Sequence, residues 1–229
     1  MTEHPKWVDN LRPSDFAGFV RDRREPFVGR EWLFAEIEAW RTGGDEPTLL
    51  VKGDPGVGKS AALAQLAETN PGGHVLAHHF CRADALETLR PGPFVRSLAS
   101  VIARRSRAYA AKLEDPSLRE VLDRSQCEAD PAGAFEQGVL APLETLPAPA
   151  GGACCILVDA LDVALAAARV RDPGDDRGRA GEPAGSISVL CVLRPRTSAA
   201  ASRPSSAGTS AECSAWPTAQ TPNGSRAGL

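Results

Sequence analysis

The sequence has 229 residues, of which 42% are hydrophobic, and a formal net charge of −3 at pH 7. This length and apolar content suffice for one domain with its own core, and a charge this close to neutral gives no general attraction for nucleic acids or anionic membranes. No apolar run approaches the ~18 residues of a membrane-spanning helix, and the polar N-terminus lacks the apolar segment of a secretory signal. We therefore expect a cytoplasmic protein with no membrane partner and no clear nucleic-acid partner.

The first half of the chain alternates predicted helices and strands. Apolar side chains spaced three and four apart predict an amphipathic helix within residues 27–40. Residues 48–52 form a short apolar run of strand length, and residues 60–69 are rich in the helix formers Ala, Leu, Gln and Glu. A glycine-rich break separates this helix from a second strand, which is predicted at residues 74–80.

Further helices and one strongly apolar strand are predicted for the middle of the chain. The helices are expected at residues 93–111, 116–124 and 132–143. Residues 153–158 are continuously apolar, which is typical of a strand buried on both faces, and residues 187–193 have the pattern of one more strand. This order of elements predicts an α/β fold in which helices cover a parallel sheet.

The composition changes near Val163. Residues 1–163 carry a net charge of −6 and all four lysines, whereas residues 164–229 carry +3. Of the last 33 residues, 25 are Ser, Thr, Ala, Gly or Pro, which bury too little apolar surface to offset the entropy of ordering the chain. The predicted division is an N-terminal extension (1–26), a core (27–196) that is poorly patterned from residue 164, and a disordered tail (197–229).

A glycine-rich segment, GDPGVGKS at residues 53–60, matches the phosphate-binding loop pattern G-x-x-x-x-G-K-[ST] in full. With this composition, roughly 0.004 matches are expected by chance. The segment follows a predicted strand and opens a predicted helix, so successive backbone N–H groups can converge on phosphate oxygens. The alternative is an ordinary Gly/Pro turn that happens to precede Lys-Ser. The candidate nucleotide-binding residues of this loop are Gly53, Asp54, Pro55, Gly56, Val57, Gly58, Lys59 and Ser60.

Each residue type in this loop has a chemical reason. Gly53, Gly56 and Gly58 permit positive φ and a close approach of the backbone to phosphates, where a Cβ would collide. Lys59 places a positive charge against the β- and γ-phosphates, and the hydroxyl of Ser60 is suited to ligate Mg²⁺. The predicted cofactors are therefore ATP or GTP together with Mg²⁺.

Two aspartates follow the apolar run at residues 153–158. A phosphate-binding loop needs a carboxylate at the end of a neighbouring buried strand to hold Mg²⁺, so Asp159 is the candidate metal ligand beside Ser60. Asp162 is the candidate catalytic residue, because its carboxylate could polarise the water that attacks the γ-phosphate. The alternatives are a solvated aspartate that ends a strand and, for Asp162, the N-cap of a helix.

Three motifs occur in a fairly specific order: FVGRE at residues 27–31, GDPGVGKS at residues 53–60 and LVDALD at residues 157–162. With this combination the chain resembles the STAND class of P-loop NTPases, the NACHT-like and nephrocystin-type signalling ATPases, which are related to AAA+ proteins. The resemblance covers about residues 25–163. It implies a three-layer P-loop NTPase fold, with a parallel sheet flanked by helices, and a switch controlled by bound nucleotide.

The resemblance also assigns roles outside the loop. It implies that Val28, Gly29 and Arg30 lie against the nucleotide base and ribose, and that Arg194 ends a strand that senses the γ-phosphate. Two departures, Val163 in place of a second acid and the absence of hydroxyl residues before Arg194, lead us to expect slow or impaired hydrolysis. Self-association or protein partners are expected through the lid, winged-helix and repeat regions of the class, before which this sequence stops.

These departures begin where the composition changes. Residues 164 onward are therefore interpreted as the truncated or frame-shifted continuation of a longer gene, which leaves the predicted core incomplete. Three functions remain open: a nucleotide-dependent switch, a non-catalytic nucleotide-binding scaffold, and an AAA+-type remodelling ATPase. Binding without turnover would indicate the scaffold, whereas ring assembly with rapid hydrolysis would indicate the remodelling ATPase.

Overall fold

The structure, a computed structural model, describes residues 4–24, 28–43, 48–146, 153–171, 186–193 and 209–212. The strands are β1 (Thr48–Gly53), β2 (Val75–Phe80), β3 (Cys154–Asp159), β4 (Ser186–Leu193) and β5 (Thr209–Glu212). The α-helices are α1 (Ala17–Arg24), α2 (Glu31–Gly43), α3 (Lys59–Thr69), α4 (Pro91–Arg105), α5 (Arg107–Lys112), α6 (Pro116–Val121), α7 (Arg124–Ala129), α8 (Pro131–Phe135), α9 (Ala141–Glu144) and α10 (Leu161–Arg171). Short 3₁₀ turns cover Lys6–Leu11, Pro71–Gly73 and Leu86–Leu89, and Glu136–Leu140 is a π-helical turn.

The five strands form one sheet in the order β2-β3-β4-β1-β5. β2 pairs in parallel with β3, and β1 pairs in parallel with β5, but β4 is antiparallel to both of its neighbours. The prediction of a purely parallel sheet is therefore wrong for β4. An apolar run has the same pattern in either chain direction, so it does not reveal the orientation of the strand. The connection from α10 to β4 is also long, and it does not force the parallel crossover that a connection by a single short helix would.

Helices cover both faces of this sheet. On β3, all six residues are buried, as predicted for a strand enclosed on both sides. Ile156 and Val158 belong to one apolar cluster, together with side chains of α4, α5 and α7–α9. Cys155 and Leu157 face the other cluster, which is built from α1, α2 and α3. The alternation of side chains along a strand thus divides the core into two halves, one on each face of the sheet.

The N-terminal extension is part of this core. Val8 and Leu11 pack into the cluster formed by the α4 side, and Phe16 and Val20 pack into the cluster formed by α2 and α3. The arginines in the last turn of α1 are exposed. Residues 4–24 therefore form a strap across both halves of the core, which we call the N-terminal strap.

Two differences from the predicted elements have local causes. The helix predicted at residues 93–111 is interrupted at Ser106, whose extended backbone ends α4 and whose side chain accepts a hydrogen bond from the N–H of Tyr109. Serine is a favoured N-cap, and this bond starts α5 as a separate helix. Within the tail predicted to be disordered, Thr209–Glu212 forms β5 beside β1; the rest of residues 197–229 lies outside the described part.

Two adjacent histidines near the end of β2 are enclosed by aromatic rings. Burial, the positive charge of Arg105 and the neighbouring His79 together lower the pKa of His78 to about 4. Burial also lowers the pKa of His79, against the opposing effect of its 2.8 Å hydrogen bond with the carbonyl of Thr88. Both side chains are therefore neutral in the folded protein at pH 7.

We expect the free energy of unfolding to fall as the pH is lowered from about 7 to about 4. Native His78 stays mostly neutral until the pH approaches 4, but in the unfolded chain its pKa returns to 6.5, so the unfolded state binds the additional proton over most of this range. At ~1.4 kcal/mol per pKa unit, the loss is about 3 kcal/mol at most. Urea unfolding at several pH values should give a smaller decrease for His78→Gln than for the parent chain, and equal decreases would contradict this explanation.

Candidate functional site

The loop between β1 and α3 contains two glycines in the left-handed region of backbone conformation. β1 ends at Gly53 and α3 begins at Lys59, as the sequence pattern predicts. Gly56 and Gly58 have φ values of 81° and 91°, where any side chain with a Cβ is strained. Gly58 is the N-cap of α3, so the N–H groups of the first turn of this helix point toward the loop.

Lys59 lies inside the curve of this loop. Its side chain is only 4% exposed, and its Nζ donates hydrogen bonds to the carbonyl oxygens of Gly53 at 2.7 Å and Asp54 at 2.8 Å. Burying an ammonium group is costly unless oxygen atoms surround it, and here the backbone of the loop supplies them. The loop therefore holds a fixed positive charge at the end of β1.

Arg30 contacts the same loop from outside. Its guanidinium donates to the carbonyl of Val57 at 2.5 Å and to that of Gly58 at 3.2 Å. Gly29 and Arg30 both have positive φ, 82° and 72°, so the chain turns sharply just before α2. Val28, beside this turn, is 89% exposed. Of the three residues that the resemblance assigns to the edge of a nucleotide pocket, Arg30 contacts the loop through its side chain, and Val28 and Gly29 directly precede it in the chain.

The two left-handed glycines give a matched pair of substitutions. A Cβ on Gly58 would stand 2.3 Å from Nη1 of Arg30, whereas a Cβ on Gly56 would meet no atom within 4 Å. We expect Gly56→Ala to cost about 1–2 kcal/mol of stability through backbone strain alone. Gly58→Ala should cost about 1 kcal/mol more, because the guanidinium must leave its two carbonyl partners.

A double-mutant cycle followed by urea unfolding separates these two effects. In an Arg30→Ala background, Gly58→Ala and Gly56→Ala should destabilise the chain equally, since the guanidinium is no longer there to be displaced. A difference that persists in this background would show that Arg30 is not its cause.

The pairing of β4 fixes the position of the loop relative to Asp159. Val189 of β4 pairs with Leu50 of β1 on one side and with Val158 of β3 on the other. Because β1 and β3 run in the same direction, Gly53 and Asp159 lie at the same edge of the sheet, two strand spacings or about 10 Å apart across it, and Gly53 lies two residues further along the strand direction. The structure thus brings the predicted loop and the predicted metal ligand to one edge.

Asp159 and Asp162 are joined by a strained turn. Asp159 is 3% exposed at the end of β3, and the next residue, Ala160, has a φ of 54°, which is uncommon for a residue other than glycine. α10 begins at Leu161, so Asp162 lies within the first turn of this helix rather than before it as an N-cap. The sharp turn keeps both aspartates near the same edge of the sheet.

Cys81 is a neighbour of these aspartates that sequence reasoning did not identify. Its N–H donates to the carbonyl of Asp159 at 3.1 Å. Burial and the negative charges of Asp159 and Asp162 raise the pKa of the Cys81 thiol to about 12, so the thiol is protonated at pH 7. The signal that would have placed it is its position directly after β2, because the carboxyl ends of β2 and β3 adjoin in the sheet.

The two histidines of β2 are packing residues. His78 packs against Phe16 and Phe80, and His79 packs against Phe16 and hydrogen-bonds to the carbonyl of Thr88. Arg194, predicted at the end of β4, lies outside the described residues.

The described part of the chain holds neither a complete metal site nor a membrane-spanning helix. No group of three or more His, Cys, Asp or Glu side chains there could hold a metal ion by protein ligands alone. Among the helices described, none has the length and apolar character needed to cross a membrane.

Comparison with known proteins identifies a family for most of the chain. The family model described as "Nephrocystin 3, N-terminal" matches residues 29–170, more than half of the sequence. The match includes the glycine-rich loop, the Asp159 turn and most of the two helical layers. No solved structure matches the chain. The resemblance to nephrocystin-type proteins is therefore confirmed at this level, and the chain belongs to the nephrocystin 3 N-terminal family.

Proposed function

We propose that this chain is a three-layer P-loop NTPase domain that binds ATP, or GTP, with Mg²⁺ and acts as the nucleotide-dependent part of a STAND-type signalling switch. One observation carries the proposal. The buried ammonium group of Lys59, the left-handed Gly56 and Gly58, and the N-terminus of α3 meet at the sheet edge where β3 ends in the buried carboxylate of Asp159. Cationic, N–H and carboxylate groups in this arrangement suit phosphates bound together with a divalent cation.

The chemistry of the available donors fits a magnesium nucleotide. The backbone of residues 53–60 would surround the phosphates, Lys59 would face the terminal ones, and Ser60 and Asp159 would supply oxygens to Mg²⁺. Val28, Gly29 and Arg30 would border the base and ribose. Bound Mg²⁺ would neutralise negative charge on the phosphate oxygens. A hard cation of this kind keeps several waters, so two protein oxygens are a sufficient contribution.

The expected turnover is slow. Asp162, in the first turn of α10, is the carboxylate proposed to orient the attacking water. The next residue, where the resemblance leads us to expect a second acid, is Val163, and its side chain packs against the apolar core. Because no second carboxylate stands there, a non-catalytic nucleotide-binding scaffold is the alternative function.

Calorimetric titration of the purified chain with ATP and with GTP, each with Mg²⁺ or with EDTA, tests the proposal. Binding that weakens in EDTA, and that loses this dependence in Asp159→Asn, would support the assigned magnesium site. No detectable binding at millimolar nucleotide would refute the proposal. Phosphate release then separates the two functions, since a switch should show slow hydrolysis that Asp162→Asn abolishes, whereas a scaffold should show binding without turnover.

A further inference from the structure

A second polar cavity lies away from the glycine-rich loop, between the N-terminal strap, the start of α4 and α7. Its volume is about 370 Å³, within the lower range of small-molecule sites. Three arginines line it, Arg12, Arg96 and Arg124, together with two glutamates and the Gly92-Pro93 segment of the first turn of α4. We call it the arginine cavity.

The glutamates of the arginine cavity are already engaged by arginines. Glu128 pairs with Arg124 at 3.0 Å and with Arg90 at 3.4 Å, and Arg90 also pairs with Glu87 at 3.3 Å. A further carboxylate near Arg96, that of Asp123, accepts hydrogen bonds from the N–H and hydroxyl of Ser125.

Arg12 and Arg96 form no ion pair within 4 Å in the described part of the chain, although the charge of Arg96 helps to lower the pKa of the Asp123 carboxyl. The side chain of Arg96 donates from Nη2 to the carbonyl of Asn10 at 2.9 Å. Its Nε is buried and has no hydrogen-bond partner among the described residues. A buried N–H of a cationic group that lacks an acceptor is costly, and such groups in native proteins commonly mark a bound water or ion.

Two further features favour an anion at this place. Arg12 ends the Lys6–Leu11 turn with a φ of 52°, a strained conformation for arginine that turns the chain around the cavity. The cavity also adjoins the N-terminus of α4, a helix of 15 residues with a favourable dipole for negative charge. A planar guanidinium is the side-chain group best matched to a phosphate oxygen pair.

We propose that the arginine cavity binds the phosphate group of a small phosphate ester, or free phosphate, at a site separate from the glycine-rich loop. Glu87 and α4 follow β2 along the chain, and β2 is three strands away from β1 in the sheet, about 14 Å across it. The phosphates of a nucleotide bound at the glycine-rich loop therefore do not also occupy the arginine cavity. A phosphate held by Arg12 and Arg96 would also fasten the N-terminal strap to α4.

The experiment uses the full chain with Lys59→Ala, so that phosphate binding at the glycine-rich loop is suppressed. Thermal unfolding and calorimetry are measured with inorganic phosphate, glycerol phosphate or chloride at equal ionic strength. We expect phosphate to raise the melting temperature and to bind with millimolar or better affinity, and Arg96→Gln or Arg12→Gln to weaken this binding by tenfold or more. Arg12 is exposed, so its variant should fold even if Arg96→Gln does not.

Arg104→Gln is the matched control, because Arg104 lies on the same helix and pairs with Asp9 of the strap at 2.8 Å but does not line the cavity. Hydrogen exchange of residues 8–14 should slow on phosphate addition in the Lys59→Ala chain and in its Arg104→Gln derivative, but not in Arg12→Gln. Glycerol phosphate binding as tightly as phosphate would identify an ester site, and much weaker binding a free-phosphate site. No phosphate effect beyond that of chloride, or an effect that survives Arg12→Gln, would overturn the proposal.

Discussion

Lys59→Ala is expected to lower the affinity for Mg-ATP by about 100-fold or more, equivalent to about 2.7 kcal/mol. The ammonium group is buried within the loop, where the attraction between opposite charges is less screened than in water. Alanine leaves the phosphates without this charge and also removes the bonds from Nζ to the carbonyls of Gly53 and Asp54. Calorimetric titration of the parent chain and the variant gives the difference directly.

The control for this substitution is Lys112→Ala, which removes an equal charge from an exposed position on α5. It should leave nucleotide affinity unchanged within about twofold, because a surface charge far from the ligand is largely screened at physiological salt. Urea unfolding of both variants without nucleotide shows whether either has lost its fold. A folded Lys59→Ala chain that binds Mg-ATP as tightly as the parent would refute the assignment of the loop.

Tyr109→Ala is expected to lower the free energy of unfolding by about 3–5 kcal/mol, the range for removing a large aromatic side chain from a core. Tyr109 is the sole tyrosine of the sequence and is fully buried at the start of α5. Its hydroxyl donates to the carbonyl of Gly138 at 2.6 Å, within the π-helical turn Glu136–Leu140. It therefore links two helical segments both by packing and by a hydrogen bond.

Tyr109→Phe divides this effect into its two parts. Phenylalanine keeps the ring but leaves the carbonyl of Gly138 buried without its donor, which should cost about 1–3 kcal/mol. Urea unfolding of both variants, with Lys112→Ala as an exposed control on the same helix, measures each part. If Tyr109→Phe proves as stable as the parent, the hydrogen bond contributes nothing and packing alone explains the position.

The parts of the site that were predictable from sequence are local in the chain. The loop at residues 53–60 can be recognised from its own residues. Glycine at positions 56 and 58 and lysine at 59 indicate a phosphate-binding loop without knowledge of the rest of the chain. Asp159 was predictable because an aspartate that directly follows a buried strand must lie at an end of the sheet. The strand before the loop, the helix after it and the strand that ends in Asp159 were predicted to within a few residues.

The parts that were not predictable depend on contacts between distant segments. Nothing in the sequence around Arg30 indicates that its guanidinium bonds to the carbonyls of Val57 and Gly58. The burial of Phe16 and Val20 was missed because α1 is short and half of its eight residues are charged. The direction of β4 was missed because hydrophobic pattern identifies a strand without its orientation.

The position of β1 in the sheet has a consequence for how the chain folds as it is made. Its two hydrogen-bonded neighbours, β4 and β5, both come from residues after 185, so Lys52 pairs with Ile187 across roughly 135 residues of chain. During synthesis, β2, β3 and the helices of the α4 side are complete well before β1 acquires a strand partner. Ribosome-bound chains that end near residue 171 should therefore protect the α4 half of the core from proteolysis while the strand that precedes the glycine-rich loop remains open to cleavage. β4 lies in the part of the chain that composition alone sets apart. Its pairing with both β1 and β3 then places the glycine-rich loop near Asp159.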